Sequence, residues 1–411
     1  GCDSRDTGGK RSDMVSTIRA MPNEQPPSVS APPDSPGAAI IPLIREVLVR
    51  QGGWLPFDRY MALALYAPGL GYYARGDRQF GTLPSSGSDF VTAPELSPLF
   101  GQALAQQVRQ ALDASGTDEI WEFGAGSGVL ARQLLDSLGA RVGRYTIVDL
   151  SGALRDRQRE VLHLHLDRVR WVDALPETMQ GVIVGNEVLD AMPVQLLHFD
   201  GQRWLERGVA VGDAREATDD RPSGSSPWIW ADRETALRPP VDEADMVFAP
   251  GTVTEIHPQA EAFIATLGDR LERGAAFFID YGFPATEYYH PQRSGGTLMC
   301  HRAHRADADP LADVAAKDIT AHVNFTGIAI AGQAAGLDVL GYTSQARFLM
   351  NCGLLDLLEG ADIRTIANAQ KLLTEHEMGE LFKVIGFARR CDPAFTTSPI
   401  GFAHGDRTHT L

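Results

Sequence analysis

No run of lysines or arginines occurs in this sequence, and acidic residues outnumber basic ones 53 to 37, for a net charge of −16. Such a chain repels nucleic-acid backbones and anionic membrane surfaces, so neither is an expected partner. No apolar stretch approaches the roughly 20 residues needed to cross a bilayer. Cysteine is scarce. Cys2, Cys300, Cys352 and Cys391 form no C-x-x-C pair and no His/Cys ligand spacing, which reads as free thiols in a reducing compartment. No H-E-x-x-H or comparable zinc pattern occurs, so no metal is expected, although His301 and His304 stand three apart with His322 and Asp318 further on.

Apolar residues are plentiful, 44% of the 411, enough for a full core and one large or two moderate domains. Residues 1–36 are rich in Pro, Ser, Gly and Asp, cannot bury enough surface to order themselves, and read as a disordered tail that fits a mitochondrial transit peptide poorly. Helical spacing then dominates "AIIPLIREVLVRQG" and "FDRYMALALY", and an amphipathic helix is predicted over Leu96–Leu112. Residues 37–115 are therefore expected to form an N-terminal helical cap.

From Thr117 strands alternate with helices. "EIWEF", "RYTIVDL", "VRWVDAL", "GVIVG" and "AAFFIDYG" are apolar strands separated by helical segments, which predicts a parallel, doubly wound α/β sheet. "LDVLGYT" and "LFKVIGFAR" would be two last strands at its edge. The expected division is a first half of the core over 116–195, an inserted subdomain over 196–253, and a second half with acceptor-site loops over 254–411. The insertion opens with a hairpin around Asp200-Gly201 and continues into a polar loop, "DAREATDDRPSGSSP". The stretch "GTLMCHRAHRADADPLADVAAKDITAHVNF" reads as irregular.

Straight after the first of these strands comes "EFGAGSGVL", with Gly124, Gly126 and Gly128 at alternate positions. A strand, a Gly-rich turn and a helix make a nucleotide pocket at the carboxyl edge of a sheet. The dinucleotide fingerprint, however, is G-x-G-x-x-G, and the third glycine is missing at that spacing. S-adenosylmethionine (SAM) has no phosphate to bind. It needs backbone passing close by, which glycine permits. Glu122, Gly124, Ala125, Gly126 and Gly128 are the candidate contacts. Asp149, followed by Leu150, ends the second strand, where a carboxylate can accept from both ribose hydroxyls. Asp173, followed by Ala174, ends the third, placed to meet an adenine amino group. The fourth runs into "GNEVLDAMPV", which brings Asn186, Glu187 and Asp190 to the edge where a methyl would be passed on. Each of these acids could also be a solvated strand end or a helix cap.

Five stretches occur in a fixed order: "GSDFVTAPELSPLFG", the glycine motif, "GNEVLDAMPV", "FIDYG" and "DITAHVNF". With them the chain, from about Ala38 to Arg390, resembles the MidA-like family of class I SAM-dependent methyltransferases. That family includes the mitochondrial protein-arginine methyltransferase that assists assembly of respiratory complex I. The resemblance implies a seven-stranded methyltransferase (Rossmann-like) sheet with an added subdomain, SAM as methyl donor, and a protein substrate carrying the acceptor arginine. It leaves room for a homodimer. The chain departs from the family pattern at Asn324, where an aspartate is usual, and at Asp149, where glutamate is frequent.

An arginine acceptor stays protonated at physiological pH, so carboxylates are needed to hold its fork. Glu187 and Asp190, with Asn186 beside them, are the expected catalytic residues. Asp89, Thr92, Pro94 and Glu95 are expected to close over the cofactor, although Thr92 or Ser97 could equally cap a helix that has Pro94 in its first turn. Tyr281, Asp318, Thr320, His322 and Asn324 are expected at the acceptor cleft. Three alternatives stay open: a nicotinamide-dependent oxidoreductase, a catalytically silent SAM-binding assembly protein, and methylation of a small molecule. The expected location is the bacterial cytoplasm, or the mitochondrial matrix in a eukaryote.

Overall fold

The computed structural model describes residues 36–74, 92–149, 152–212, 227–242, 246–302, 305–374 and 378–411. The expected disordered tail, the polar loop of the insertion, and Cys2, Asp89, Leu150 and His304 lie outside the described residues.

Seven strands form the central path: β1 (Glu119–Phe123), β2 (Arg144–Val148), β3 (Val169–Val172), β4 (Met179–Asn186), β5 (Leu271–Phe283), β6 (Asp338–Ser344) and β7 (Phe382–Arg389). Across the sheet they run β6-β7-β5-β4-β1-β2-β3, and a short eighth strand, Val323–Asn324, pairs with the end of β5. The α/β class holds, but the sheet is mixed. β7 runs antiparallel to both β5 and β6.

The placement of β7 corrects the reading of it as an edge strand. It lies between β5 and β6 and is buried along seven of its eight residues. Apart from Lys383, "FKVIGFA" is apolar throughout, which suits a strand covered on both faces, since an edge strand tolerates alternation.

Alternate residues of each strand feed opposite cores, as the two-residue period requires. Ile120, Val182, Val184, Phe277 and Ile279 join one cluster. Trp121, Ile183, Ala276 and Phe278 join the other. Helices supply the covers. On the first face lie α4 (Pro98–Ser115), following the single-turn α3 (Ala93–Leu96), and α5 (Val129–Leu138). On the second lie α7 (Pro258–Arg270) and α8 (Phe325–Ala334), and α6 (Gly152–Val161) connects β2 to β3. Helix α4 begins at Pro98 rather than at the expected Leu96. Ser97 caps it, its side chain accepting from Leu99 N at 3.2 Å, with Pro98 in the first turn.

The N-terminal helices α1 (Pro36–Arg50) and α2 (Phe57–Tyr66) do not stand apart from the insertion. Strand Trp54–Pro56 pairs with Trp204–Val211, the second arm of the expected hairpin. Gly208 permits that approach: a Cβ there would lie 2.4 Å from Leu55 O and 2.5 Å from the Trp54 ring. Strands Trp228–Glu234 and Val253–Ile256 complete a five-stranded sheet. Leu48, Leu55, Tyr60, Leu196, Val209 and Trp228 share one core with Cys300 and Ile319. The stretch read as irregular holds a small sheet of its own, Met299–Arg302, Arg305–Asp307 and Asp318–Thr320. Among the described residues Cys300, Cys352 and Cys391 are free thiols, and no helix is long and apolar enough to cross a membrane.

Candidate active site

The loop after β1 turns three times through backbone space that side chains avoid. Gly124, Gly126 and Gly128 have φ of 61°, 53° and 85°. A Cβ on Gly124 would also press on Val188 Cγ2 at 3.0 Å, whereas one on Gly126 would meet open space. That open space is part of a cavity lined by Thr92, Pro94, Glu95, Glu122, Gly124, Ala125, Gly126, Ser127, Val129, Leu130 and Asn186. The α3 wall of the cavity is tied to α5 by Gln133, which donates to Pro94 O at 2.7 Å and accepts from Gly101 N at 3.0 Å.

Glu122 lies in the cavity wall, 2% exposed, and accepts from Tyr145 OH at 2.8 Å. Burial raises its carboxyl to about 8, against the pull of the Tyr145 bond. The sign for stability follows. Between pH 4.5 and 8 the folded chain keeps a proton that the unfolded chain has lost, so stability falls as pH rises, by up to about 1.4 kcal/mol per unit from this group. Glu122→Gln removes that slope. In urea unfolding of the protein without cofactor, the wild type is expected to lose more stability than the variant between pH 5 and pH 8. Equal losses would mean that Glu122 is ionised in the fold.

Asp149 is oriented by a residue that carries no signal in the sequence. Gln158 Nε2, on α6, donates to Asp149 Oδ2 at 3.0 Å and to Gly126 O at 2.9 Å, linking the second strand end to the glycine loop. Asp173 is exposed and ion-paired with Arg155, which also donates to Asp149 O at 2.9 Å, and Ala174 follows half-buried.

At the carboxyl ends of β4 and β5 three acids converge. Glu187 has φ of 54°, a left-handed backbone uncommon for a side-chain-bearing residue. Its N–H donates to Ile279 O at 2.9 Å. Its carboxylate accepts from Asn186 Nδ2 at 3.1 Å and from Tyr281 OH at 3.3 Å. Burial, reinforced by the charge of Asp280, pushes it up to about 8. Asp190 is 4% exposed, and burial and the neighbouring acids Asp280, Glu187 and Asp318 hold it well above the usual carboxylate range. Asp280, 1% exposed, is not among the residues the sequence singles out, although it sits in "FIDYG". It accepts from Leu189 N at 2.8 Å and Asp190 N at 3.1 Å, and burial raises it in spite of those bonds.

Tyr66 of α2 donates to Ala191 O at 2.7 Å, and Tyr73, stacked on it, donates to both oxygens of Asp318 at 2.7 and 2.8 Å. The N-terminal helices therefore reach the acidic cleft. His322 lies beside Tyr281, their ring centres 5.9 Å apart. Asn324 is 2% exposed and caps α8, accepting from Gly327 N at 3.4 Å, so its side chain is engaged in the fold. Thr320 is buried in the small sheet. No group of three or more His, Cys, Asp or Glu able to hold a metal ion occurs among the described residues.

Residues 100–343 match the model of a family of S-adenosyl-L-methionine-dependent methyltransferases. The chain belongs to this family. A COG1565 superfamily member from Burkholderia thailandensis, solved bound to S-adenosyl-homocysteine, is 50% identical, with a TM-score of 0.84 over 93% of this chain and all of that one. Curated relatives are more distant. The protein arginine methyltransferase NDUFAF7 of Xenopus tropicalis, a mitochondrial protein, is 25% identical over 86% of this chain and 87% of its own length. Its Caenorhabditis elegans homolog is 24% identical over 67% and 68%. The chain is thus a SAM-dependent methyltransferase, and the nicotinamide alternative falls away.

The cavity suits that cofactor. Asn186 Oδ1 is buried without a hydrogen-bond partner beside the bare glycine loop, leaving an acceptor for a ligand's donor.

Proposed function

We propose that this enzyme transfers the methyl group of SAM to an arginine guanidinium of a protein. One observation carries the reading. Glu187, Asp190 and Asp280 are gathered at the methyl-transfer edge, and among the described residues none of them is paired with a cation. Burial without a counterion holds these carboxyls protonated well above their usual range, a cost that a bound cation relieves, so the site asks for a cationic acceptor. The names of the distant curated relatives, protein arginine methyltransferases, support the same substrate class.

In this reading Thr92, Pro94, Glu95, Glu122, Gly124, Ala125, Gly126, Gly128, Asp149, Ala174 and Asn186 hold the cofactor, with Asp173 at the rim. SAM supplies a methyl group activated by a sulfonium centre. Glu187 and Asp190 bind the guanidinium fork and draw its positive charge away from the attacking nitrogen. Asp280 fixes the backbone of Leu189 and Asp190 and so keeps Asp190 in place. Glu187 takes the proton that leaves the attacking nitrogen as the carbon–nitrogen bond forms. Tyr66, Tyr73 and Asp318 close the cleft from the N-terminal side.

Incubation with methyl-labelled SAM and a pool of arginine-centred peptides tests this. Methylarginine in the acid hydrolysate, identified by mass, is the expected product. Label found only on lysine, histidine or a small molecule overturns the reading.

A further inference from the structure

Next to the acidic cleft, the Arg293 guanidinium sits among aromatic rings and two imidazoles that burial keeps neutral. From Tyr281 the rings continue through His322 to Phe283, whose ring centre is 5.2 Å from that of His322. The Arg293 guanidinium carbon sits 4.3 Å from the centre of the Phe283 ring. Tyr288 lies 6.5 Å from Phe283, and His257 packs edge-on against Tyr288 at 5.2 Å. Three elements thus bring Arg293, His322 and His257 together: the loop after β5, the turn before Val323–Asn324, and the residue preceding α7.

Each of the three side chains has an unmade hydrogen bond. Arg293 Nε, His322 Nδ1 and His257 Nε2 are buried and have no partner. His257 is only 4% exposed, so water does not offset its loss cheaply. Arg293 makes no ion pair among the described residues, whereas Arg155, Arg168, Arg170, Arg207, Arg389 and Arg407 are each paired with an acid or a carbonyl. Lys383, a second cation near His322, is occupied by Glu380. A guanidinium and two imidazoles with nitrogens to spare form a site for an anion, and a planar fork fits a carboxylate. In a chain of net charge −16 an unpaired, partly buried arginine stands out further.

We propose that Arg293, His322 and His257 form a carboxylate pocket that takes an acidic side chain of the methyl acceptor, a few residues from its methylated arginine. The occupant rests on the arginine reading above. Tyr281 separates the two poles, bonded to Glu187 on one side and packed at a tilt against His322 on the other. The cleft is therefore dipolar, and an acceptor segment carrying both an arginine and an aspartate or glutamate complements it in one register only. Complementarity of this kind selects partners more than it adds raw affinity.

Two measurements test the pocket. In the first, protein labelled on histidine and saturated with S-adenosyl-homocysteine is titrated with N-acetyl-aspartate amide, and separately with N-acetyl-asparagine amide, while the imidazole signals are followed by NMR. The carboxylate is expected to shift the His322 and His257 signals, the amide is not, and Arg293→Met is expected to abolish the shift. No shift in the wild type, or equal shifts with both compounds, overturns the pocket whatever the acceptor is. In the second, two pools of arginine-centred peptides differ only in glutamate or glutamine at the flanking positions. The wild type is expected to methylate the glutamate pool with a kcat/KM at least ~10-fold higher, as loss of a charge-assisted bond implies. Arg293→Met is expected to lose that preference and keep its rate on the glutamine pool. An unchanged preference in the variant overturns the role in acceptor selection. If neither pool is methylated while the carboxylate still shifts the imidazoles, the pocket stands and the arginine reading fails.

Discussion

Under the proposed arginine activity, Glu187→Gln is expected to lower kcat by about 100-fold or more, with SAM affinity and melting temperature close to wild type. The size comes from the cost of removing one member of a desolvated charge pair, roughly 2–5 kcal/mol. The specificity of the effect comes from geometry. A glutamine can keep one bond of the pair that Glu187 makes with Asn186 Nδ2 and Tyr281 OH, and it is nearly isosteric, so the left-handed turn at this residue need not move. In the proposed mechanism, what it loses is the charge that holds the guanidinium and the site that accepts its proton. The same argument gives a pH profile. With Glu187 near 8 before a cation arrives, kcat/KM for the wild type rises from pH 6 to pH 9, because the ionised form is the one that binds the acceptor. If Glu187→Gln turned over peptide at the wild-type rate, the acid cluster would have to be structural.

Gly126→Val weakens SAM binding by about 100-fold in a calorimetric titration, with the fold intact. The substitution does not fail for want of room, since a Cβ at this position meets nothing within 4 Å. It fails because φ is 53°, where a β-branched residue is a genuine outlier and the strain is of order 1–3 kcal/mol. The loop relieves that strain by rotating to negative φ. Rotation breaks the Gln158 link between Gly126 O and Asp149, so two walls of the cavity move together. Gly126→Ala is expected to fall between the two. NADH is expected to give no heat with any of the three proteins. Wild-type affinity in the valine variant would show that the loop does not contact the cofactor.

Most of the elements are legible because each carries its own period. "EIWEF" alternates between two cores, and "PLFGQALAQQVRQALDAS" repeats its apolar face at helical spacing, so local patterning is enough. Gly124, Gly126 and Gly128 are legible because glycine at alternate positions has few uses other than a bare turn. Asp280 is not. Nothing in "FIDYG" marks its aspartate until β5 lies beside β4 with Ile279 opposite Asn186, which carries Asp280 to the N–H groups of Leu189 and Asp190. The place of β7 is hidden for a related reason. A strand's composition records how much of it is covered, but not which strands flank it, and its seven buried residues are compatible with several positions.

The local sequence therefore decides where the chain turns, which faces are apolar, and that a SAM-type loop follows the first strand. Those properties depend on neighbours within a few residues, where backbone sterics and periodicity operate. Only the tertiary structure decides that the N-terminal strand Trp54–Pro56 completes the insertion's sheet, that Tyr66 and Tyr73 reach across to Ala191 and Asp318, and that Arg293 comes to rest near His322 and His257. These partners are separated by tens to hundreds of residues. Their meeting is governed by packing of the finished cores, and a long-range pairing leaves no periodic trace in the chain that makes it.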